Sequence, residues 1–192
     1  RARFALEHGA DPARFALEPP ARRAALDSAW TAFQRAQVTA IVREVRDSLT
    51  AVRPGLTLSA AVLADTVTGE RRHAQEWRAW VRAGLLDRVF VMCYAQAVQT
   101  VLEQMLAYAD GLGTEHVVPG IAVYNSAAST AAAKIKGAIE LGYRAVALYS
   151  YDALDEQPGY WDALAGFLGT RRAAGPAPAP APRAGTPAQE PR

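Results

Sequence analysis

The feature that most constrains the fold of this chain is a repeated alternation of short apolar runs and helical patterns. Four runs rich in Val, Leu and Ile predict strands, and they begin about thirty residues apart, the length of a strand–helix unit. The predicted strands cover residues 56–63, 85–94, 117–124 and 145–150. Because each is followed by a helical pattern, the chain is predicted to be an α/β protein with parallel strands.

Helical periodicity also precedes the first predicted strand. A helix is predicted from Asp27 or Ser28, either of which can cap its first turn, to the Pro-Gly stop at 54–55. The helix that follows the third strand is predicted to be capped by Ser129 or Thr130. The remaining helices are predicted around residues 74–82, from 98 and from 158.

Both ends of the chain lack such periodicity. In residues 1–27, Pro12, Pro19 and Pro20 interrupt short apolar patches, which predicts an irregular segment. Residues 171–192 are rich in Pro and Ala and are predicted to be disordered or extended in polyproline form. The folded domain is therefore predicted to span residues 28–170.

Strand–helix alternation leaves two architectures open. A helix followed by four strand–helix units fits the C-terminal half of a (β/α)8 TIM barrel, but an open doubly wound sheet shows the same alternation. A complete (β/α)8 barrel needs about 250 residues, and this chain has 192. The barrel interpretation therefore carries the expectation that the other half of the barrel lies outside this sequence.

Charge, cysteine and histidine content argue against several classes of function. The formal net charge is +2 and the arginines are dispersed, so nucleic-acid binding is not expected. The single cysteine, Cys93, excludes an intramolecular disulfide, and His8, His73 and His116 stand in separate contexts, so no metal site is predicted. The chain has no glycine-rich phosphate-binding motif and no apolar run of membrane-spanning length, and no cofactor is predicted.

Aromatic and polar side chains follow the predicted strands at their carboxyl ends, where parallel α/β folds place their sites. These residues are Asp65 after the first strand, Met92, Cys93 and Tyr94 at the second, Tyr124 and Asn125 at the third, and Tyr149, Tyr151 and Asp152 at the fourth. Aromatic faces pack on the C–H surfaces of sugars, and amides and carboxylates pair with hydroxyls, so this rim suits a polyhydroxylated ligand. Alternatively, Tyr94 and Tyr149 are core residues with a solvated hydroxyl.

Two acids on this rim are candidates for catalysis. Glycoside hydrolysis usually needs two carboxylates, and Asp65 and Asp152 are the acids that immediately follow predicted strands. Asp65 is equally suited to cap a loop, and Asp152 to cap a turn before the last helix. Because the sequence does not give their separation, it does not choose between a retaining and an inverting mechanism.

An ordered set of short blocks resembles the glycosyl hydrolase-like 10 family. The first block reads W-x-x-F-Q-R-A-Q-V-T, from Trp30 to Thr39, and the third contains W-R-A-W followed by G-L-L-D and M-C-Y. The blocks lie at residues 30–42, 53–62, 77–94, 120–124 and 148–152. They occur in the order that the family has, and the order makes the resemblance specific.

The resemblance implies a (β/α)8 barrel of glycoside hydrolase type, in which this chain supplies strands five to eight. It implies bacterial polysaccharides as substrates, peptidoglycan glycan strands among them, and an exported or envelope-associated protein. The residues that match the family pattern, and are therefore suggested as substrate contacts, are Tyr94, Tyr124, Tyr151 and Asp152, with Arg35 and Gln37 at the start of the first helix. Asn125 is added as a substrate contact from its own place after the third strand.

Two departures from the family pattern bear on catalysis. Val91 stands where the family commonly has a proline before the methionine. The family's acidic segment at the end of the fourth strand would precede Arg1, so the principal catalytic acid is expected upstream of this chain. The first hypothesis is accordingly a fragment of a glycosidase that needs the N-terminal half of its barrel. The alternative is a non-catalytic glycan-binding or scaffolding domain.

Overall fold

The computed structural model describes residues 1–109, 111–152 and 156–169. The strands are β1 (Ser59–Leu63), β2 (Arg88–Cys93), β3 (Val117–Ala122) and β4 (Ala147–Tyr149). The helices are α1 (Ala2–His8), α2 (Pro20–Val52), α3 (Thr66–His73), α4 (Trp77–Arg82), α5 (Val98–Ala109), α6 (Ala128–Glu140) and α7 (Tyr160–Leu168), with a 3-10 helix at Pro12–Leu17. All four predicted strands are present, each within one to three residues of its predicted ends.

The four strands form one parallel sheet in the order β1-β2-β3-β4. The predicted parallel α/β architecture is therefore confirmed. Each strand pairs with the strand that precedes it in the chain, which is the order of consecutive strands in a (β/α)8 barrel. Within the described residues, β1 and β4 are the two edges of the sheet.

One face of the sheet packs against the helices and forms the main core. In β2, Val89, Val91 and Cys93 are buried on this face, while Arg88 and Phe90 point to the other. Side chains on or next to all four strands pack against the helices in this core. Trp77 and Trp80 of α4 are both buried in it. These two tryptophans seal α4 against the sheet, as their three-residue spacing predicts.

The amino-terminal segment is helical, so the prediction of an irregular segment over 1–27 is wrong. Pro12 opens the 3-10 helix and Pro20 is the first residue of α2, positions where proline's missing N–H has no helical partner to lose. A small core of Phe4, Ala10, Phe15 and Leu26 packs under Trp30 and Phe33. The prolines thus start helices here, and α2 begins at Pro20 rather than at Asp27 or Ser28.

Two further helix starts differ from the predictions. Residues 66–73 form α3, although their polar composition with an internal glycine gave no helical pattern. The predicted Ser129 or Thr130 cap is also wrong, because α6 begins at Ala128 with Ala127 at the cap position and no side-chain cap bond. Ala128 is buried against the core, so tertiary packing extends the helix beyond the capping residues.

The predicted Pro/Ala tail at 171–192 lies outside the described residues. The division of the chain at 27/28 and 170/171 stays a prediction. No described helix combines the length and the apolar composition that a membrane span requires.

Candidate functional site

Three tyrosines meet at the carboxyl ends of β2, β3 and β4. The ring of Tyr94 stacks on the ring of Tyr149, with centroids 5.2 Å apart and planes 15° apart. Tyr124 stands edge-on to both, at 6.4 Å from Tyr94 and 6.2 Å from Tyr149. We call these three residues the tyrosine cluster. Parallel pairing brings them together, since it places the carboxyl ends of neighbouring strands at the same edge.

Below the tyrosine cluster, the second face of the sheet forms a concave apolar surface. It encloses about 320 Å³. We call this surface the open face, and its side chains and backbone come from Ala61, Phe90, Met92, Gly120 and Ala147, with Tyr94 and Tyr149 at the rim. No described helix covers it, in contrast to the opposite face, and Phe90 is 37% exposed there.

Gly120 has no side chain and so leaves space for the Tyr94 ring on this surface. A Cβ at Gly120 would lie 3.4 Å from Cε1 of Tyr94 and 3.1 Å from the carbonyl oxygen of Val91. A glycine inside a strand often marks such a close approach. The preceding Pro119 is tolerated because β4 pairs with β3 only from Gly120 onward.

The tyrosine cluster combines exposed ring faces with hydroxyl groups. Tyr124 is 48% exposed and Tyr149 is 54% exposed, whereas Tyr94 is partly buried. Desolvation, and then the neighbouring Tyr149 and Tyr124, raise the pKa of Tyr94, so its hydroxyl stays protonated at neutral pH. The cluster can therefore offer apolar faces together with hydroxyls that both donate and accept hydrogen bonds.

Asn125 and Lys134 hold the backbone next to the cluster. Nδ2 of Asn125 donates a 3.0 Å hydrogen bond to the carbonyl oxygen of Tyr94. Nζ of Lys134, a fully buried residue of α6, donates a 2.8 Å hydrogen bond to the carbonyl oxygen of Ala95. Asn125 was predicted to bind substrate. In the structure its amide nitrogen donates to the backbone, and its contact with substrate stays a prediction.

Lys134 escaped the sequence analysis because a lysine in a helix ordinarily points to solvent. A signal was nevertheless present. Ala131, Ile135 and Ala138 mark the buried face of α6 by their helical spacing, and Lys134 lies within that face.

The two candidate acids lie at opposite edges of the sheet. Asp65 follows β1, where its carboxylate caps α3 by accepting hydrogen bonds from the backbone of Val67 and Thr68 and from the Thr68 hydroxyl. These bonds, the Thr68 hydroxyl first, lower the pKa of Asp65 despite some desolvation. Asp152 is exposed after β4, and its carbonyl accepts from the amide of Glu156.

Three strand-to-strand steps separate β1 from β4, about 14 Å along the sheet. Asp65 and Asp152 thus follow the two edge strands, and the Asp65 carboxylate is engaged as the cap of α3. Their catalytic roles stay predictions.

Arg35 and Gln37 lie on α2, next to α3, and not in the tyrosine cluster. The Arg35 guanidinium pairs with Glu70 at 3.8 Å and with Glu76 at 3.6 Å. Gln37 lines a separate concave surface of about 340 Å³ together with Trp30. Substrate contact by Arg35, Gln37 and the exposed Tyr151 stays a prediction.

The single cysteine does not suit the role of a nucleophile. Cys93 is fully buried, and desolvation raises the pKa of its thiol to about 12. In the part of the chain that the structure describes, no group of His, Cys, Asp and Glu side chains could hold a metal ion.

A comparison with models of protein families assigns the chain to a family. The model of the Glycosyl hydrolase-like 10 family matches residues 13–135, which is more than half of the sequence. The chain belongs to the glycosyl hydrolase-like 10 family. The predicted resemblance is thereby confirmed. The matched residues of this glycosyl hydrolase-like 10 chain include Tyr94, Tyr124, Asn125 and Lys134, whereas Tyr149 lies beyond them. A comparison with curated proteins finds no match.

Proposed function

We propose that this chain forms the C-terminal half of a (β/α)8 glycoside hydrolase barrel, and that the tyrosine cluster contacts the substrate. One observation carries the proposal: three tyrosines converge at the carboxyl ends of parallel strands, the edge at which barrel enzymes bind their substrates. Membership in a glycosyl hydrolase-like family supports a carbohydrate as the ligand.

The open face supports the barrel part of this proposal. Side chains on the inner face of a (β/α)8 barrel pack against those of the opposite strands. In this chain Phe90 and Met92 lie on such a face without a described partner layer. Four further strands that join the β1 and β4 edges would cover it, so the proposed partner is the N-terminal half of the same barrel.

The proposed reaction is hydrolysis of O-glycosidic bonds in a bacterial polysaccharide. Peptidoglycan glycan strands are the substrate to test first, and we propose an exported or envelope-associated location. Because both oxygens of the Asp65 carboxylate accept hydrogen bonds at the cap of α3, we propose that the principal acid comes from the other barrel half. Asp152 is then the candidate acid that this chain adds to the rim.

A non-catalytic glycan-binding domain is the second candidate. The observation that favours it is the same rim, which gathers three aromatic rings, while the Asp65 carboxylate is engaged as a helix cap. Stacking of rings on a sugar supplies affinity without any chemistry.

Titration with glycan fragments tests the binding step. The full chain is titrated calorimetrically with soluble peptidoglycan glycan fragments, and Tyr124→Ala is compared with Phe167→Ala, which removes an exposed ring of α7 outside the cluster. We expect Tyr124→Ala to weaken binding by about tenfold and Phe167→Ala to leave it unchanged. Equal effects of the two variants, or no binding by the unmodified chain at millimolar fragment, would contradict the proposed site.

Release of reducing ends separates hydrolysis from binding. The assay is run on the chain alone and on the chain fused to whatever coding sequence precedes Arg1 in its gene. Hydrolysis that appears only with the fusion supports the half-barrel enzyme. Binding without hydrolysis in both forms favours the non-catalytic alternative.

A further inference from the structure

A buried lysine lies directly behind the tyrosine cluster. Lys134 is completely excluded from solvent, and desolvation lowers the pKa of its ammonium group. Among the described residues, no acidic side chain forms an ion pair with it. Burial of an ammonium group is unfavourable unless its hydrogen bonds are satisfied, so an apolar side chain would serve better if only packing were required.

The ammonium of Lys134 binds the backbone that carries Tyr94. Its hydrogen bond goes to the carbonyl oxygen of Ala95, and the preceding carbonyl, that of Tyr94, accepts from Asn125. Two side chains from different elements thus hold two consecutive carbonyls. The strand β2 ends at Cys93, and the amide of Tyr94 already turns back to the carbonyl of Met92 at 3.0 Å. Side-chain hydrogen bonds therefore replace the sheet ladder at this point.

The contacts of the Tyr94 ring depend on this backbone position. The ring stacks on Tyr149 and lies over Gly120, where a Cβ would stand 3.4 Å from Cε1 of Tyr94. Contact energies between packed atoms fall steeply with a gap of even half an ångström to one ångström. A small displacement of the chain at residues 94–95 would therefore open the stacked pair.

We propose that Lys134 is a positioning residue of the tyrosine cluster. Its ammonium, together with the Asn125 amide, fixes the connection between β2 and α5 and holds the Tyr94 ring against Tyr149. The stacked pair then presents one fixed aromatic surface to a sugar ring. The claim that this surface binds a sugar rests on the proposed function. The claim that Lys134 fixes the position of the Tyr94 ring does not.

Fluorine NMR of the full chain tests the hold on Tyr94 without any ligand. The chain is labelled with 3-fluorotyrosine, and the Tyr94, Tyr149 and Tyr108 signals are assigned with single Tyr→Phe variants. Lys134→Met keeps the length and apolar stem of the side chain but removes the ammonium. Lys136→Met, at an exposed position of the same helix, is the matched control.

We expect Lys134→Met to shift or broaden the Tyr94 and Tyr149 signals. The signal of Tyr108 should keep its position, because its hydroxyl binds the carbonyl of Ala64 beside β1. Lys136→Met should leave all three signals unchanged. In the glycan titration, Lys134→Met should weaken binding roughly three- to tenfold, the range for a misplaced aromatic contact.

Unchanged Tyr94 and Tyr149 signals in a folded Lys134→Met variant would overturn the proposal. If Lys134→Met does not fold, Lys134→Leu replaces it, since that change also removes the ammonium and keeps an apolar side chain at this buried position; a shifted Tyr94 signal then supports the proposal and an unshifted one overturns it. If the unmodified chain binds no glycan, the proposed function fails, while the fluorine signals still decide whether Lys134 positions Tyr94.

Discussion

At the residue scale, Gly120 links the sheet to the tyrosine cluster. Its lack of a side chain leaves room for the Tyr94 ring, and the carbonyl of Val91 closes the same space from the neighbouring strand. We predict that Gly120→Ala lowers the free energy of unfolding by about 1–2 kcal/mol, because the added methyl group overpacks this site. Urea denaturation measures this loss.

The control for this change is Gly166→Ala in α7. Apart from the backbone of the helix and the two neighbouring residues, no atom of the described residues lies within 4 Å of a Cβ built at Gly166. Since alanine favours a helix over glycine, Gly166→Ala should raise stability by up to about 1 kcal/mol. A Gly120→Ala variant as stable as the unmodified chain would show that the Tyr94 ring moves aside at no cost.

Asp87 is the residue through which pH should act on stability. Desolvation raises the pKa of its carboxyl, but hydrogen bonds from the Leu58 amide and Arg46, and the charges of Arg46 and His116, outweigh that effect and lower it below 3.8. The folded pKa is thus lower than the unfolded one. The ionised Asp87 therefore contributes stability above the unfolded pKa, and this contribution is lost as pH falls through the folded pKa.

We predict that Asp87→Asn lowers the free energy of unfolding at pH 7 by about 1 kcal/mol, a modest value because the Asp87 side chain is 44% exposed. The variant should also lose part of the pH dependence below pH 4. Denaturant midpoints between pH 2 and pH 7 measure both effects. Asp47→Asn, an exposed change on α2, serves as control, and an equal flattening in that variant would refute the role of Asp87.

At the element scale, α5 and α6 pack closely because Gly137 has no side chain. A Cβ at Gly137 would collide with both methyl carbons of Leu102. We predict that Gly137→Ala lowers the free energy of unfolding by about 2 kcal/mol. Leu102→Ala should itself destabilise the chain, but the double variant should be more stable than the sum of the two changes predicts. Strict additivity in a double-mutant cycle would exclude direct contact.

The sequence predicted the strands well because each is a short apolar run bounded by turn residues. The starts of several helices were not predictable from apolar periodicity. Polar α3 depends on its Asp65 cap, and α2 begins at a proline that the pattern alone reads as an interruption. The helix starts were therefore wrong where capping and tertiary packing, rather than periodicity, decide the boundary.

In the candidate site, too, some features were predictable from the sequence and others were not. Tyr94 and Tyr124 were predictable as neighbours, since side chains after adjacent parallel strands share one edge. The placement of Asp65 and Asp152 after the two edge strands was not, because it depends on the order of the strands in the sheet. The burial of Lys134 could be inferred from the helical spacing of its buried neighbours, but its hydrogen bond to the carbonyl of Ala95 spans 39 residues of chain and could not.

At the scale of the whole molecule, the open face should govern behaviour in solution. Phe90 and Met92 expose apolar surface between β1 and β4, which have no further partner strand among the described residues, and this combination favours association. We predict that the chain dimerises or aggregates with rising concentration, and that Phe90→Lys reduces this. Light scattering across a concentration series measures the effect.

Leu106→Lys is the control for this change, because Leu106 is an exposed apolar residue of α5 outside the open face. It should leave the association unchanged. A monodisperse monomer of the unmodified chain at high concentration would contradict the prediction.

The order of the strands has a consequence for synthesis. Every strand after β1 pairs with the one made immediately before it, so each new strand–helix unit finds its docking edge already formed as it leaves the ribosome. Contacts close in sequence also carry a small entropic cost of loop closure. The chain can therefore assemble stepwise from its amino-terminal side, with β4 and the Tyr94–Tyr149 stack completed last.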